Sequence, residues 1–188
     1  MKSRIRQILA QRAMCRVVTT DLVRAAVLLP LYESSGEYYV VFTKRTEMVE
    51  KHKGQICFPG GTYQKEDIIL LNTALRESWE EIGLNPEDVE VLGEFDEMPT
   101  HATNFLITPF VGIIPHPYRF EVSRDEVEEI IEVPLSVLRD GRNYWEETRV
   151  YCDNPLSVPF YKYGDRVIWG ATARILRGFL EAVFEDEN

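Results

Sequence analysis

Glu77, Glu80 and Glu81 stand close together in the segment LNTALRESWEEIG, residues 71–83. On a helix that turns about 100° per residue, the three carboxylates share an arc of about 100°. Leu71, Leu75, Ser78, Trp79 and Ile82 fall on the other side, so the wheel predicts a core face and an acidic face. Like charges on one face repel unless a cation or base sits among them. Hard divalent cations take oxygen ligands, and Glu77 and Glu81, four residues apart, can address one ion. The alternative is an ordinary solvated face, and the helix alone does not choose between them. Arg76 precedes Glu80 by four residues, the spacing of an ion pair.

The residues before this helix favour the cation. Phe58-Pro59-Gly60-Gly61 follows the strand-like GQICF, and a glycine pair lets backbone approach a ligand closely. Such a loop running into an acid-lined helix is a place to hold metal-bound phosphates. Glu66 and Asp67 lie between the two. Arg45 suits bidentate phosphate contact, and His52 is a second candidate for substrate phosphate or a polar loop residue. Lys44, Lys51 and Lys53 form a small basic cluster that can steer an anionic substrate. Downstream, SRDEVEEIIEVPL reads as an acidic loop that offers Glu126 and Glu129.

The elements that must position these groups are legible from pattern. Segments 25–29, 38–43, 89–95, 106–114 and 149–151 are strand-like, rich in β-branched and aromatic residues. Ser34-Ser35-Gly36-Glu37 reads as a hairpin turn. Helices are expected over 70–82, stopped by Gly83 and Pro86, and over 169–184, where Ile175, Leu176, Phe179, Leu180 and Val183 make an apolar stripe. The first sixteen residues are Arg-rich and acid-free, compatible with an organelle transit peptide or with a helix that turns Ile5, Ile8 and Leu9 inward; the helix is the expectation. Strands mixed with helices over 188 residues give one α/β or α+β domain, with 1–21 as a helical extension and 22–184 as the core.

Composition narrows the function classes. The chain has 21 Lys+Arg against 31 Asp+Glu, a formal charge of −10, which argues against nucleic-acid binding. No apolar run approaches the roughly 18 residues needed to cross a bilayer. Cys15, Cys57 and Cys152 are odd in number and form no CxxC pair, so a reducing cytoplasm is the default expectation. Cys57 is expected to be a small buried strand residue, since no base is identifiable beside it.

Gly61, Asp67 and Arg76-Glu77-Ser78-Trp79-Glu80-Glu81-Ile82-Gly83-Leu84 stand in the order of the Nudix hydrolase signature, and the chain resembles that family. It departs in carrying Asp67 for the family's Glu, Ser78 for a bulky residue, and one extra step between Gly61 and Arg76. Those departures resemble the branch that cleaves coenzyme A. The segment VFTKRTEMVEKHKGQICFPGG, residues 41–61, is similar to that branch's upstream motif at Thr43, Arg45, His52, Gly54-Gln55 and Phe58 to Gly61. TPFVG, EVPLSVL and WGATARIL extend the resemblance over about residues 22–180, whereas THATNF at 100–105 departs from the branch's pattern.

The resemblance implies an α/β/α sandwich, a mixed sheet between helices with the signature as a loop-helix-loop. It implies that Glu77, Glu80 and Glu81, with the Gly60 carbonyl, bind Mg²⁺ or Mn²⁺, and that Arg76 locks Glu80. Arg45, His52, Phe58, Gly60 and Gly61 are then expected to meet a small-molecule pyrophosphate substrate. The general base is expected within the signature or on the later loop, with Glu129 ranked ahead of Glu126. Homodimers are common in the family. The implied activity is hydrolysis of coenzyme A or its thioesters. ADP-ribose, a dinucleoside polyphosphate or a nucleotide sugar is the nearest alternative. A non-catalytic ligand sensor is the alternative of another class, and RNA decapping is disfavoured by the net charge.

Overall fold

A computed structural model describes residues 1–17, 21–47, 54–100, 103–151 and 154–184. β1 (Val23–Ser34) and β2 (Glu37–Arg45) make an antiparallel hairpin with Leu31 opposite Val40. Ser35 and Gly36, both at positive φ, form its two-residue turn, as a tight hairpin requires. β1 also pairs antiparallel with β4 (Gly60–Thr62), placing Val27 opposite Gly60. Its other edge runs parallel to β7 (Phe105–Ile113), from Val23 against Phe105 to Leu31 against Ile113. This is the one parallel pair among the described strands, so the sheet is mixed. β3 (Ile56–Cys57) lies on β2, β5 (Glu90–Glu94) and β6 (Met98–Pro99) lie on β7, and β8 (Val127–Pro134) lies on β2.

Alternation along β1 divides the core into two layers. Leu29 and Leu31 face a cluster with Val40, Phe42, Phe58 and Phe179. Ala26 and Leu28 face the opposite cluster with Val41, Ala74 and Ile82. α2 (Leu70–Ile82) covers the second layer, while α1 (Lys2–Gln11) and α4 (Gly170–Phe184) cover the first. This is a mixed sheet between helices, as the sequence implied. α1 contributes Ile5 and Leu9, both buried; Ile8 is half-buried. α3 (Leu135–Arg139) follows β8.

A second antiparallel sheet joins β9 (Tyr144–Tyr151), β10 (Asn154–Tyr163) and β11 (Arg166–Trp169). Only the end of β9 was expected from sequence. Trp169, assigned to the last helix, is instead the end of β11, and α4 begins at Gly170. The aromatic residues of this sheet stack across strands, with Phe160 between Trp145 and Trp169. No described helix is long and apolar enough to cross a membrane.

Candidate functional site

α2 ends as its sequence directs. Gly83 takes the left-handed conformation at φ 66°, and its amide and that of Leu84 bond back to Trp79 and Ser78. Ser78, where the signature carries a bulky residue, is fully buried and satisfies its hydroxyl on the Ala74 carbonyl at 2.7 Å. Trp79 corrects the wheel: it is 53% exposed and outside the core, because it sits at the edge of the apolar arc where the helix turns away from the sheet. Glu81 is 2% exposed, Glu77 half-buried and Glu80 open to solvent.

Glu81 is the centre of the site. Its carboxylate accepts from the Gly60 amide at 3.2 Å and from Arg45 Nη1 at 3.2 Å. Arg45 also faces Glu126, with Nη2 3.9 Å from Oε2. Burial pushes the Glu81 pKa up to about 8; Arg45 and the Gly60 amide oppose the rise, and Glu77 and Glu126 add to it. Burial also raises Glu77, against the pull of Arg76, with Glu80 and Glu126 adding to the rise. Gly61 is needed for close approach: a Cβ there collides with the Glu77 carboxyl group.

Arg76 does pair with Glu80, at 2.8 Å, and with Glu77, at 2.9 Å. Its principal partner is one that sequence reasoning left without a role. Asp67, almost fully buried, takes both Nε and Nη2, and also accepts from Thr73 and the Gln64 amide. The fifteen-step spacing from Gly61 to Arg76 passes through a short 3₁₀ turn, Lys65–Asp67, and then Ile68 at φ 66°, ψ −50°. There the Ile69 amide bonds to the Asp67 carbonyl at 2.7 Å, closing a three-residue γ-turn.

Other expectations are redistributed. Phe58 is 2% exposed and stacks on Phe42 at 4.9 Å; it is core, not a substrate wall, because its side chain enters the layer beneath α4. Glu129 is not on a loop. It lies in β8 opposite Lys44, and Arg166 holds both its oxygens at 3.2 and 2.9 Å. Glu126, just before the strand, faces Arg45 and the acidic cluster. Lys44 is occupied by Glu128 at 2.8 Å. His52, Lys51 and Lys53 lie outside the described residues, as do His101 and Cys152. Cys57 is half-buried with its thiol against Thr43, and burial raises its pKa to about 11, so it is a structural residue. A cleft of about 520 Å³ opens beyond the glycine loop among Arg24, Tyr63, Ile69 and Leu71, and none of the acidic face of α2 lines it.

Among the described residues no three acidic, His or Cys side chains converge as a cation cage. Arg76 draws Glu80 and Glu77 one way while Arg45 and Gly60 hold Glu81 another. The donors still suit a hard divalent ion. They are all oxygens, the buried Glu81 carboxyl is raised in pKa partly by Glu77, and Gly61 leaves Glu77 room against the backbone. Oxygen ligands beside a half-buried arginine suit the chemistry of a charged phosphorus anhydride.

Residues 22–153 match the NUDIX domain family, and the chain belongs to the Nudix hydrolases, enzymes acting on phosphorus anhydrides of nucleoside diphosphate derivatives. Nudix hydrolases generally use divalent metal ions. The chain is 37% identical over 156 residues to the uncharacterized Nudix hydrolase NudL of Klebsiella pneumoniae, covering 82% of this chain and 79% of that protein. It is 38% identical over 166 residues to NudL of Citrobacter koseri, with the same coverage. In structure it is similar to a MutT/nudix family protein from Enterococcus faecalis, with a TM-score of 0.63 at 14% identity over 94% of this chain and 66% of that one. It is also similar to a MutT protein from Methanosarcina mazei, with a TM-score of 0.55 at 18% identity over 92% of this chain and 100% of that one.

Proposed function

We propose that this Nudix hydrolase cleaves the pyrophosphate of coenzyme A or its thioesters, with Mg²⁺ or Mn²⁺ as cofactor, releasing 3′,5′-adenosine diphosphate and a phosphopantetheine product. The observation that supports the reading is the meeting of Arg45 and Gly60 on Glu81. Arg45 from β2 and Gly60 from β4 belong to the stretch that resembles the coenzyme A branch, and both bond to the same carboxylate. Two positions of the motif thus meet a carboxylate that this reading makes catalytic.

Glu77, Glu80 and Glu81, with the backbone at Gly60, would hold the metal. When bound, the metal neutralises the pyrophosphate charge and lowers the pKa of a water. Arg76, fixed by Asp67, sets the positions of Glu77 and Glu80. Arg45 would exchange its contact with Glu81 for a substrate phosphate oxygen, a role its guanidinium fork suits. Glu126 is the general base that takes the proton from the attacking water. It replaces Glu129, whose carboxylate is committed to Arg166.

A substrate panel with Mg²⁺ or Mn²⁺, read by coupled phosphate release, tests the reading. Turnover of coenzyme A in preference to ADP-ribose, dinucleoside polyphosphates and nucleotide sugars is expected. Turnover of ADP-ribose with none of coenzyme A would overturn the substrate. Absence of turnover on the whole panel would favour a ligand sensor, which has no need of three intact carboxylates.

A further inference from the structure

The layer beneath α2 is not filled at the helix's first turn. The cleft of about 520 Å³ lies there, between Leu70 and Leu71 of α2 and Arg24, Glu94 and Phe110 of the sheet. That volume falls within the roughly 300–1,000 Å³ of sites that enclose small molecules. Leu70, Leu71 and Phe110 belong to the core layer that α2 covers, so the inner wall is apolar. Ile68 and Ile69 carry the wall outward and are 78% and 53% exposed.

The charged groups of the cleft are not equally engaged. Arg16 takes both oxygens of Glu94, at 2.5 and 3.1 Å, and neutralises that carboxylate in place. Arg24 is half-exposed, and its ion pair with Glu97 is long, at 3.5 Å. Glu97 is already held by Arg16 at 3.3 Å and by the Val17 amide at 2.8 Å. Arg24 therefore keeps most of its five donors for a ligand. An aliphatic wall ending at an available guanidinium fits an anion on an aliphatic body, and a carboxylate matches the guanidinium fork.

The backbone points the same way. Ile68 stands at φ 66°, where glycine would sit without strain, and yet it presents a large aliphatic side chain to the cleft. Strain of this kind concentrates at ligand clamps. Ile68 directly follows Asp67, so the cleft adjoins the residue that fixes Arg76 without being lined by Glu77, Glu80 or Glu81.

We propose that this cleft is a second ligand site, separate from the acidic face of α2, and that it takes a small carboxylic acid with an aliphatic body. The carboxylate meets Arg24, and the chain lies against Ile68, Ile69, Leu70 and Leu71.

Calorimetric titration with octanoate, 1-octanol and acetate, in chelator, tests this in the wild type, Arg24→Gln and Ile68→Gly. The wild type is expected to bind octanoate at least about 10-fold more tightly than either of the other probes. Arg24→Gln should abolish the preference for octanoate over octanol and leave octanol affinity unchanged. Ile68→Gly should weaken octanoate about 10-fold while its melting curve shows an intact fold. Absence of octanoate binding in the wild type, or octanol binding as tightly, overturns the inference whether or not any variant folds. Unchanged octanoate affinity in Ile68→Gly places the probe elsewhere and also overturns it. So does an equal loss of both probes in a folded Arg24→Gln, which marks a structural role. The titration reads binding without metal or turnover, so its outcome is independent of whether coenzyme A is cleaved.

Discussion

Asp67 grips Arg76 with both carboxylate oxygens, Oδ1 on Nε at 2.8 Å and Oδ2 on Nη2 at 3.1 Å. The remaining Arg76 nitrogen, Nη1, is thereby left for Glu77 and Glu80. The orientation of two site carboxylates is thus set from beneath the helix, by a residue that touches neither of them.

Asp67→Asn is expected to cost about 3 kcal/mol of stability at pH 7, as breaking one side of a buried ion pair does. The Arg76 bonds hold the Asp67 pKa well below the usual carboxylate range. Its contribution is therefore full above the unfolded value, near 3.9, and is lost as pH falls through the lower folded value. Melting curves should show a constant gap between wild type and Asp67→Asn above about pH 5 that narrows below pH 4. A gap that widens with acid would contradict the pairing.

Glu81→Gln should abolish turnover and yet raise the melting temperature of the metal-free protein at pH 8. A carboxyl whose folded pKa is raised to about 8 stabilises the fold fully below its unfolded value and loses that contribution as pH rises. A neutral amide avoids the loss, a gain on the order of 2–4 kcal/mol. Thermal melts in chelator at pH 5 and pH 8 should show little difference at the first and a rise at the second. A destabilised variant at pH 8 would refute the buried-charge account.

Ile68→Gly is expected to stabilise the protein. A β-branched residue at φ 66° is strained by roughly 1–3 kcal/mol, and Ile68 is 78% exposed, so little packing is lost. After the chain-entropy cost of glycine, a gain of about 1 kcal/mol remains, a rise of roughly 2–4 °C in a chain of this size. A lower melting temperature would show that Ile68 contributes contacts that outweigh its strain.

Glu126→Gln should lower kcat about 10²- to 10⁴-fold with KM little changed, as loss of a general base does. Glu129→Gln should leave kcat within a few-fold and lower stability slightly through Arg166, a half-exposed pair worth about 1 kcal/mol. Pre-steady-state and steady-state kinetics on the same substrate separate the two. The reverse ranking would return the base to β8.

The helix, its glycine stop and the three carboxylates were readable because period and punctuation are local signals. The run of acids hid β8, and the register shift opposite Lys44/Arg45 turns Val127 to the layer under α2 while Ile131 and Val133 face the other, so no single buried face runs through the segment. Phe58 was misread for a different reason. A motif shows that a residue is present but not which way it points, and the turn at Pro59 sends this ring into the core. Trp79 failed at the margin of the helical wheel, where 100° steps cannot say how far a neighbouring layer reaches. Asp67 was visible only as a departure from a pattern, since its value lies in partners nine residues away along the chain.

The parallel pairing of β1 with β7 joins residues about 80 positions apart, and β4 hangs on the same β1 segment. The ribosome must therefore release chain as far as Ile113 before β1 has both neighbours. Until then Val27, Leu29 and Leu31 stand on an open edge, a template for other nascent chains. Such distant contacts set a slow folding clock. A truncation that ends before Phe105 should collect in inclusion bodies even though it carries every carboxylate of the Nudix helix.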